Sequence, residues 1–357
     1  MTDADGSVLE GWREQIAAAA RRGVALRLRG AGTKDFYGEC LAGEVMDLLG
    51  FRGIVDYEPS ELVLTARCGT PLSEVEGALA ARGQFLAFEP PAFGRDPTIG
   101  GVIAAGLSGP RRPQAGAARD FVLGAVLLGV DGELLRFGGK VMKNVAGFDI
   151  SRLLCGSLGI LGPILEVSLK VMPMPREEQT LRFELGEAEA LAAFNRWAGQ
   201  PLPVSAAAWW AGAAYLRLSG TAPALRAART RLGGEALEPE AAAAWWRELR
   251  SQRHVLLGAV RNLWRLSVPS PSAPLALEGP RLIEWGGALR WHATDLPAAA
   301  VRSVATAAGG TALHWRGGTA GSRFHPLSAA VLAIHRRLKE RFDPHGIFNH
   351  NRLIAGL

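Results

Sequence analysis

A glycine pair near the start of the chain forms the first segment that could bind a charged ligand. Gly30 and Gly32, separated by Ala31, directly follow a short alternating strand predicted over 24–28. Backbone N–H groups in such a turn can point at an anion with little obstruction from side chains. Polar or positive side chains that suit a diphosphate flank the turn: Arg29, Thr33 and Lys34. The segment indicates a diphosphate-binding loop, and the alternative is an ordinary surface turn.

The same turn lacks two features of the nicotinamide-dinucleotide fingerprint. That fingerprint requires a third glycine and a helix that begins directly after the turn. Asp35 stands where the third glycine would be, and the sequence predicts no helix there. A nicotinamide cofactor is therefore not favoured.

A second stretch of small residues, 97–106, is predicted to open a helix. Its glycines and alanines permit the close approach of a bulky planar ligand. Two separated small-residue loops imply a ligand that is longer than a single phosphate. The candidate contacts in this stretch are Pro97, Thr98, Ile99, Gly100, Gly101, Ala105 and Gly106.

In order and spacing, the two loops and three later motifs resemble one known family. The later motifs span 119–124, 143–149 and 152–159. Together they resemble the FAD-binding domain of the vanillyl-alcohol oxidase and p-cresol methylhydroxylase superfamily, and within it the FAD-binding subunit of bacterial glycolate oxidase. This resemblance covers nearly all of 24–175. Segments of the second half also look like that subunit: 263–269, 283–291 and 342–349.

The resemblance implies one FAD, held without a covalent bond. Covalent members carry a histidine after the first glycine loop, where this chain has Thr33 or Lys34. The two loops would hold the FAD diphosphate, and the stretch 156–164 would lie along the adenosine. Further contacts implied by the motifs are Lys143, Asn144, Gly147, Asp149, Gly156, Gly159 and Ile164.

The resemblance also implies an activity. It predicts a subunit that oxidises glycolate or a related 2-hydroxy acid to the 2-oxo acid and passes electrons to a partner iron–sulfur subunit. A second flavoprotein subunit would belong to the same complex. The alternative is an FAD-containing structural or electron-relay subunit with no substrate site of its own.

Oxidation of a 2-hydroxy acid requires an arginine for the carboxylate and a base near the hydroxyl. Arg265 and Arg290 are the candidate carboxylate ligands because they lie in segments that look like the family. His314, at the end of a predicted strand, is the candidate base. The alternatives are arginines that stack on neighbouring tryptophans and a structural histidine.

Composition and spacing argue against other function classes. The formal charge is +6, but the 40 lysines and arginines are scattered, and no nucleic-acid motif occurs. Cys40, Cys68 and Cys155 are too far apart for a zinc or iron–sulfur cluster, and the histidines form no metal motif, so we expect no metal site. Because neither a long apolar run nor a signal peptide occurs, we expect a cytoplasmic protein, at most peripheral to the membrane.

The pattern of elements predicts an α+β fold with a vanillyl-alcohol-oxidase-type FAD-binding domain and a cap domain. Strands and helices over 1–175 form the FAD-binding domain, which ends at the proline-rich segment 172–175. Short strands alternating with Ala-rich helices over 176–325 predict a cap of antiparallel sheet with helices. A helix and tail over 326–357 would return to the first domain.

Overall fold

The computed structural model describes residues 3–93, 96–139, 149–318 and 321–357. Helices and strands are mixed, and antiparallel pairing dominates the two larger sheets, so the expected α+β class is confirmed. Among the helices of these ranges, none combines the length and apolar character needed to cross a membrane.

The N-terminal part, up to 175, surrounds a five-stranded sheet of order β3-β4-β8-β6-β7. Asp131 and Gly132 form the hairpin turn between β6 and β7, and the positive φ of 82° at Gly132 is a conformation that glycine adopts readily. The strands are β1 Leu26–Arg29, β2 Glu44–Asp47, β3 Ile54–Glu58, β4 Val63–Arg67, β5 Gln84–Phe85, β6 Val122–Leu128, β7 Leu134–Gly138, β8 Ile164–Lys170 and β9 Met172–Pro173.

Helices of the N-terminal part pack against this sheet and frame its loops. They are α1 Asp3–Arg22, α2 Leu72–Ala80, α3 Ile99–Ala105, α4 Arg112–Ala115 and α5 Ile150–Leu154. Helix α1 begins before Ser7, and Pro71 is the N-cap residue of α2. The proline-rich boundary segment is not a plain linker, because Met172 and Pro173 pair with β5.

The cap, 176–325, is built on an antiparallel sheet of order β13-β10-β12-β11-β15-β16-β14-β17, here called the cap sheet. Its strands are β10 Glu177–Glu184, β11 Val204–Trp210, β12 Ala213–Gly220, β13 Glu235–Ala236, β14 Leu263–Ser267, β15 Arg281–Glu284, β16 Leu289–Ala293 and β17 Thr311–Arg316. Its helices are α6 Glu187–Ala198, α7 Ala222–Leu232, α8 Pro239–Arg250, α9 Val255–Ala259 and α10 Ala298–Ala307.

The cap sheet has two distinct faces. Its inner face carries Trp291 and Leu289, which share a core with Leu107 and Leu158 of the N-terminal part. Its outer face is covered by helices, with Ile283 packed toward α6 and α7 and Leu266 packed toward α10. Because side chains alternate along a strand, adjacent cap residues point to opposite faces.

The C-terminal segment returns to the N-terminal part. After α11, Ala329–Phe342, the chain runs beside β1, where the N–H of Leu26 donates to Ile347 O at 2.7 Å. The buried Nζ of Lys339 donates to Ile160 O at 2.8 Å, to Phe348 O at 2.7 Å and to Asp343 Oδ2 at 2.6 Å. This one ammonium therefore joins α11, the tail and the loop before β8.

Replacing Lys339 by methionine should destabilise the fold by about 3–5 kcal/mol, because the fully buried Asp343 carboxylate would lose its charged partner. Urea unfolding of the two proteins measures the difference in the free energy of unfolding. Arg337→Met, at an exposed position on the same helix, is the control and should change it by less than about 0.5 kcal/mol. Equal losses for the two variants would contradict the anchoring role.

Candidate functional site

A cleft between the loop after β1 and helix α3 collects most of the small and polar residues singled out from the sequence. The predicted residues that line it are Arg29, Gly30, Ala31, Gly32, Thr33, Lys34, Pro97, Thr98, Gly100, Gly101, Ala105, Gly159 and Ile164. The cleft therefore brings together both glycine loops and the C-terminal end of the stretch 156–164, which was expected to lie along the adenosine.

The two loops touch each other. A methyl group at Gly30 would lie 2.4 Å from Thr98 Oγ1, which is closer than a side chain can approach. Thr98 also caps α3, since its Oγ1 accepts from the N–H of Gly101 at 3.3 Å. Glycine at position 30 is therefore required for the loop to lie against the start of α3.

The backbone amides of the first loop are open. From Gly30 to Lys34, no N–H group donates to an acceptor within the described part of the chain. By contrast, the first amides of α3 are already used, with Ile99 N donating to Thr70 O at 2.8 Å and Gly100 N to Cys68 O at 2.9 Å. Because successive backbone amides without an internal acceptor can donate to an anion, the first loop is the part of the cleft that fits a diphosphate.

Lys34 adds a positive charge to the open amides. Burial lowers the pKa of Lys34 to about 8, and within the described ranges its ammonium forms no ion pair. The charge of Arg29, by contrast, is already paired, because its Nη2 lies 3.2 Å from Asp35 Oδ2. An anionic ligand beside Lys34 would stabilise its charged form.

The C-terminal tail forms a wall of the cleft that the sequence did not predict in detail. Asn349 Oδ1 accepts from Leu28 N at 2.7 Å, and its Nδ2 donates to Leu158 O at 2.6 Å. Arg352, absent from the sequence prediction, donates to the carbonyls of Lys34 and Asp35 at 3.1 and 3.0 Å. The tail therefore fixes the shape of the first loop.

Several predicted cofactor residues do not line the cleft. Ile99 is fully buried in the core of the N-terminal part, and Asp149 caps α5 by accepting from Arg152 N at 3.3 Å. Gly106 and Gly156 instead pack on each other, and a methyl group at Gly106 would lie 2.8 Å from Gly156 N. Lys143, Asn144 and Gly147 lie outside the described residues.

Arg265 lies on the inner face of the cap sheet. Its guanidinium lies over the rings of Trp285 at 5.1 Å and Trp291 at 5.8 Å, and it donates to no acceptor within the described residues. Arg112 of the N-terminal part lies over the same Trp285 ring at 4.4 Å and also has no hydrogen-bond acceptor there. Two guanidinium groups from the two parts of the chain thus share one indole.

Arg290 and His314, the other two candidate substrate residues, lie on the outer face of the cap sheet. Arg290 is fully buried, and its Nε donates to Gly287 O at 2.6 Å. His314 is opposite Trp264 in the pairing of β14 with β17, with ring centroids 4.5 Å apart. Arg290 is opposite Leu266 and His314 is opposite Trp264 in the strand pairing, and paired residues share one face of a sheet. Because Leu266 and Trp264 pack toward α10, Arg290 and His314 also point away from the N-terminal part.

Glu284 is a buried carboxyl group on the inner face that the sequence did not single out as a candidate. It is opposite Leu289 in the pairing of β15 with β16, and its Oε1 accepts from Trp291 Nε1 at 2.8 Å. Burial raises the pKa of Glu284 to about 7. Within the described ranges, no group of three or more His, Cys, Asp or Glu side chains is placed to hold a metal ion.

Gly101→Trp should abolish FAD binding while the fold persists. A Cβ at Gly101 meets only Thr98 Oγ1, at 3.2 Å, so the indole would extend into the cleft and occupy ligand volume. Flavin absorbance after desalting measures occupancy, and circular dichroism checks the fold. Gly77→Trp, at a helical glycine of α2 with open space around it, is the control. Full flavin occupancy in Gly101→Trp would remove α3 from the site.

Arg290→Lys should lower the free energy of unfolding by about 1.5–3 kcal/mol, because lysine cannot donate to the carbonyls of Gly287, Ser272 and Ala273 together. Denaturant unfolding checks this value. The exposed Arg196→Lys on α6 should change stability by less than about 0.5 kcal/mol. A stable Arg290→Lys protein with weakened substrate binding would restore the original prediction.

Comparisons with known proteins agree with this geometry. A family model described as an FAD binding domain matches residues 11–138. The glycolate oxidase subunit GlcE of Escherichia coli (strain K12) is 44% identical over 344 residues, which cover 96% of this chain and 97% of that protein. The glycolate oxidase subunit GlcD of Bacillus subtilis (strain 168) is 33% identical over 155 residues, covering 43% of this chain and 33% of that protein.

Solved structures extend the comparison to the fold. An alkyldihydroxyacetonephosphate synthase matches with a TM-score of 0.65 at 15% identity, over 96% of this chain and 75% of that one. FAD is the cofactor of this protein, and its chemistry is that of an FAD-dependent oxidoreductase. The chain belongs to the glycolate oxidase subunit GlcE family, within the FAD-linked oxidases of the p-cresol methylhydroxylase type.

Proposed function

We propose that this chain is the FAD-binding subunit of a glycolate oxidase and oxidises glycolate or a similar 2-hydroxy acid to the 2-oxo acid. One observation carries the proposal: Arg265 and Arg112 lie over one indole ring without a hydrogen-bond acceptor in the described residues. Paired guanidinium groups of this kind suit a carboxylate, which can accept hydrogen bonds at both oxygens.

The cleft residues fit FAD held without a covalent bond. The open amides of Gly30 to Lys34 and the Lys34 ammonium would hold the diphosphate, and Gly159 and Ile164 would lie along the adenosine. When bound, FAD supplies the acceptor for the hydrogen and electron pair of the substrate's carbinol carbon. Leu107 and Leu158 close the inner face of the cap sheet against water.

The charge around Arg112 supports an anionic substrate. Burial and the nearby Arg265 guanidinium both lower the pKa of Arg112, which means that the two cations repel each other. A substrate carboxylate between them would relieve the repulsion and orient the hydroxyl-bearing carbon. The Tyr37 ring centroid lies 5.2 Å from that of Trp315. Burial raises the pKa of the Tyr37 phenol, and the nearby charge of Arg265 opposes that rise.

Assembly with partner subunits is part of the proposal. The GlcE and GlcD relatives are both named as subunits of glycolate oxidase, and this chain is similar to both. We expect a second flavoprotein subunit and an iron–sulfur subunit to take the electrons onward. In this chain Cys68 is buried and Cys40 exposed, and they lie at separate places in the sequence, which does not suit a cluster.

Arg265→Lys should raise the glycolate concentration needed for half-maximal flavin reduction by roughly 10- to 150-fold, because lysine cannot form the two-point contact. The measurement is the glycolate dependence of flavin bleaching in the FAD-loaded chain. FAD content and melting temperature should change little, since Arg265 has no structural acceptor in the described residues to lose.

Arg302→Lys is the matched control, because Arg302 also lies over a tryptophan, at 5.9 Å from the Trp264 ring centroid, but on the outer face. It should shift the glycolate dependence by less than about threefold. Superimposable curves for wild type and Arg265→Lys would contradict the carboxylate contact. A wild-type flavin that glycolate leaves fully oxidised would contradict the proposed activity itself.

A further inference from the structure

We propose that Glu284 is the catalytic residue that accepts the hydroxyl proton of the substrate. This inference rests on the proposed function, because it assumes that a 2-hydroxy acid binds beside Arg265. It assigns a role to a carboxyl group that the sequence did not single out and replaces His314 as the base.

The register of the cap sheet puts Glu284 on the same face as Arg265. Glu284 pairs with Leu289, which is two residues before Trp291, and Trp291 pairs with Arg265. Side chains at these paired positions share one face of the sheet, the inner face. Glu284 and Arg265 therefore both face the N-terminal part.

Two indoles fix Glu284 relative to the carboxylate-binding arginines. Trp291 donates its N–H to Glu284 Oε1 at 2.8 Å, and Arg265 lies over the Trp291 ring. Trp285, the next residue in the chain, lies beneath both Arg265 and Arg112 and donates its N–H to Gly109 O at 3.0 Å. Since Gly109 follows α3 closely, this cluster lies near the helix that borders the FAD cleft.

One oxygen of the Glu284 carboxyl is left for a ligand. Glu284 as a residue is 3% exposed, and within the described residues its Oε2 has no hydrogen-bond or ion-pair partner. A carboxylate oxygen without a protein donor can accept a hydrogen bond from a ligand. The hydroxyl of a substrate held by Arg265 is a donor of the required kind.

The surroundings tune this carboxyl group for proton transfer near neutral pH. Burial raises the pKa of Glu284 to about 7, opposed by the Trp291 hydrogen bond and by Arg265, while Glu89 raises it further. Glu89 is itself held by Arg217 at 2.9 Å and by Arg111 at 3.2 Å. An acceptor with a pKa near the operating pH is effective in general-base catalysis.

The three histidines that are buried in the cap are less suited to the task. His292 and His314 both lie on the outer face, opposite Trp264 in the strand pairing. His254 packs between Trp210 and Trp245 at 4.8 and 5.1 Å, and its Nδ1 caps α9. Compared with these three histidines, Glu284 has the position and the chemistry that the proposal requires.

The proposed step balances as follows. The substrate O–H bond breaks and its proton goes to Glu284, while the O–C bond becomes a carbonyl. The carbinol C–H bond breaks, and a bound FAD would supply the acceptor for its hydrogen and both electrons. The substrate thus loses two electrons, which a bound FAD would accept, while Arg265 and Arg112 hold the unreacting carboxylate.

Glu284→Gln tests the proposal in the FAD-loaded full chain. The amide oxygen can still accept from Trp291, but the side chain can no longer take up a proton. At saturating glycolate, we expect flavin bleaching to slow by about 10²- to 10⁴-fold and to lose its rise with pH through about 7. The affinity for oxalate, a carboxylate without a carbinol hydrogen, should change by less than about threefold.

A second readout needs no substrate. Because the folded-state pKa of Glu284 lies above its unfolded value, the folded protein holds a proton that the unfolded chain releases between pH about 4.5 and 7. Wild type should therefore lose stability relative to Glu284→Gln as pH rises through that window, and the difference should level off above it. Melting temperatures across the window measure this.

Glu187→Gln is the matched control, because Glu187 is also buried but pairs with Arg281 at 2.6 Å on the α6 side of the sheet. Its bleaching rate should match wild type.

If Glu284→Gln bleaches like wild type, the base assignment is overturned and the proposed function stands. If it loses oxalate affinity in proportion to rate, Glu284 only positions Trp291, which also overturns the assignment. If wild type itself is not bleached, both proposals fail.

Discussion

Side chains alternate between the two faces of a β-strand, and in this protein that alternation decides which cap residues can meet the cofactor. Arg265 and Arg290 lie on neighbouring strands, yet only Arg265 faces the N-terminal part. The pairing of Arg265 with Trp291 and of Leu266 with Arg290 separates them. A one-residue shift of β16 would turn Arg290 from the outer to the inner face of the sheet.

The buried and half-buried arginines of this protein therefore fall into two groups, those that donate to protein acceptors and those that do not. Arginines on the outer face or in the tail donate to backbone carbonyls. Arg290 donates to Gly287 O, and Arg352 donates to Lys34 O. Arg111 and Arg217 converge on Glu89 and join the two parts of the chain. Arg265 and Arg112 have no such acceptor in the described residues, which is the property expected of groups that bind a substrate.

Much of the cofactor part could be predicted because its signals are local. Glycines at 30 and 32, the Thr98 cap and the Asp131-Gly132 hairpin depend on backbone geometry that a few neighbouring residues determine. The cap residues could not be assigned in the same way. Whether Arg290 faces the outer helices or the N-terminal part depends on how the whole sheet packs. Arg112 lies in none of the motifs, and nothing in the segment 283–291 distinguishes Glu284 from its neighbours.

A structure of the FAD-loaded chain with oxalate would test the central claim most directly. The account predicts one oxalate carboxylate within hydrogen-bond distance of both Arg265 and Arg112, with the FAD diphosphate on the amides of Gly30 to Lys34. Oxalate bound elsewhere, or both guanidinium groups engaged by FAD itself, would contradict the account, because the inner face would then hold no substrate site.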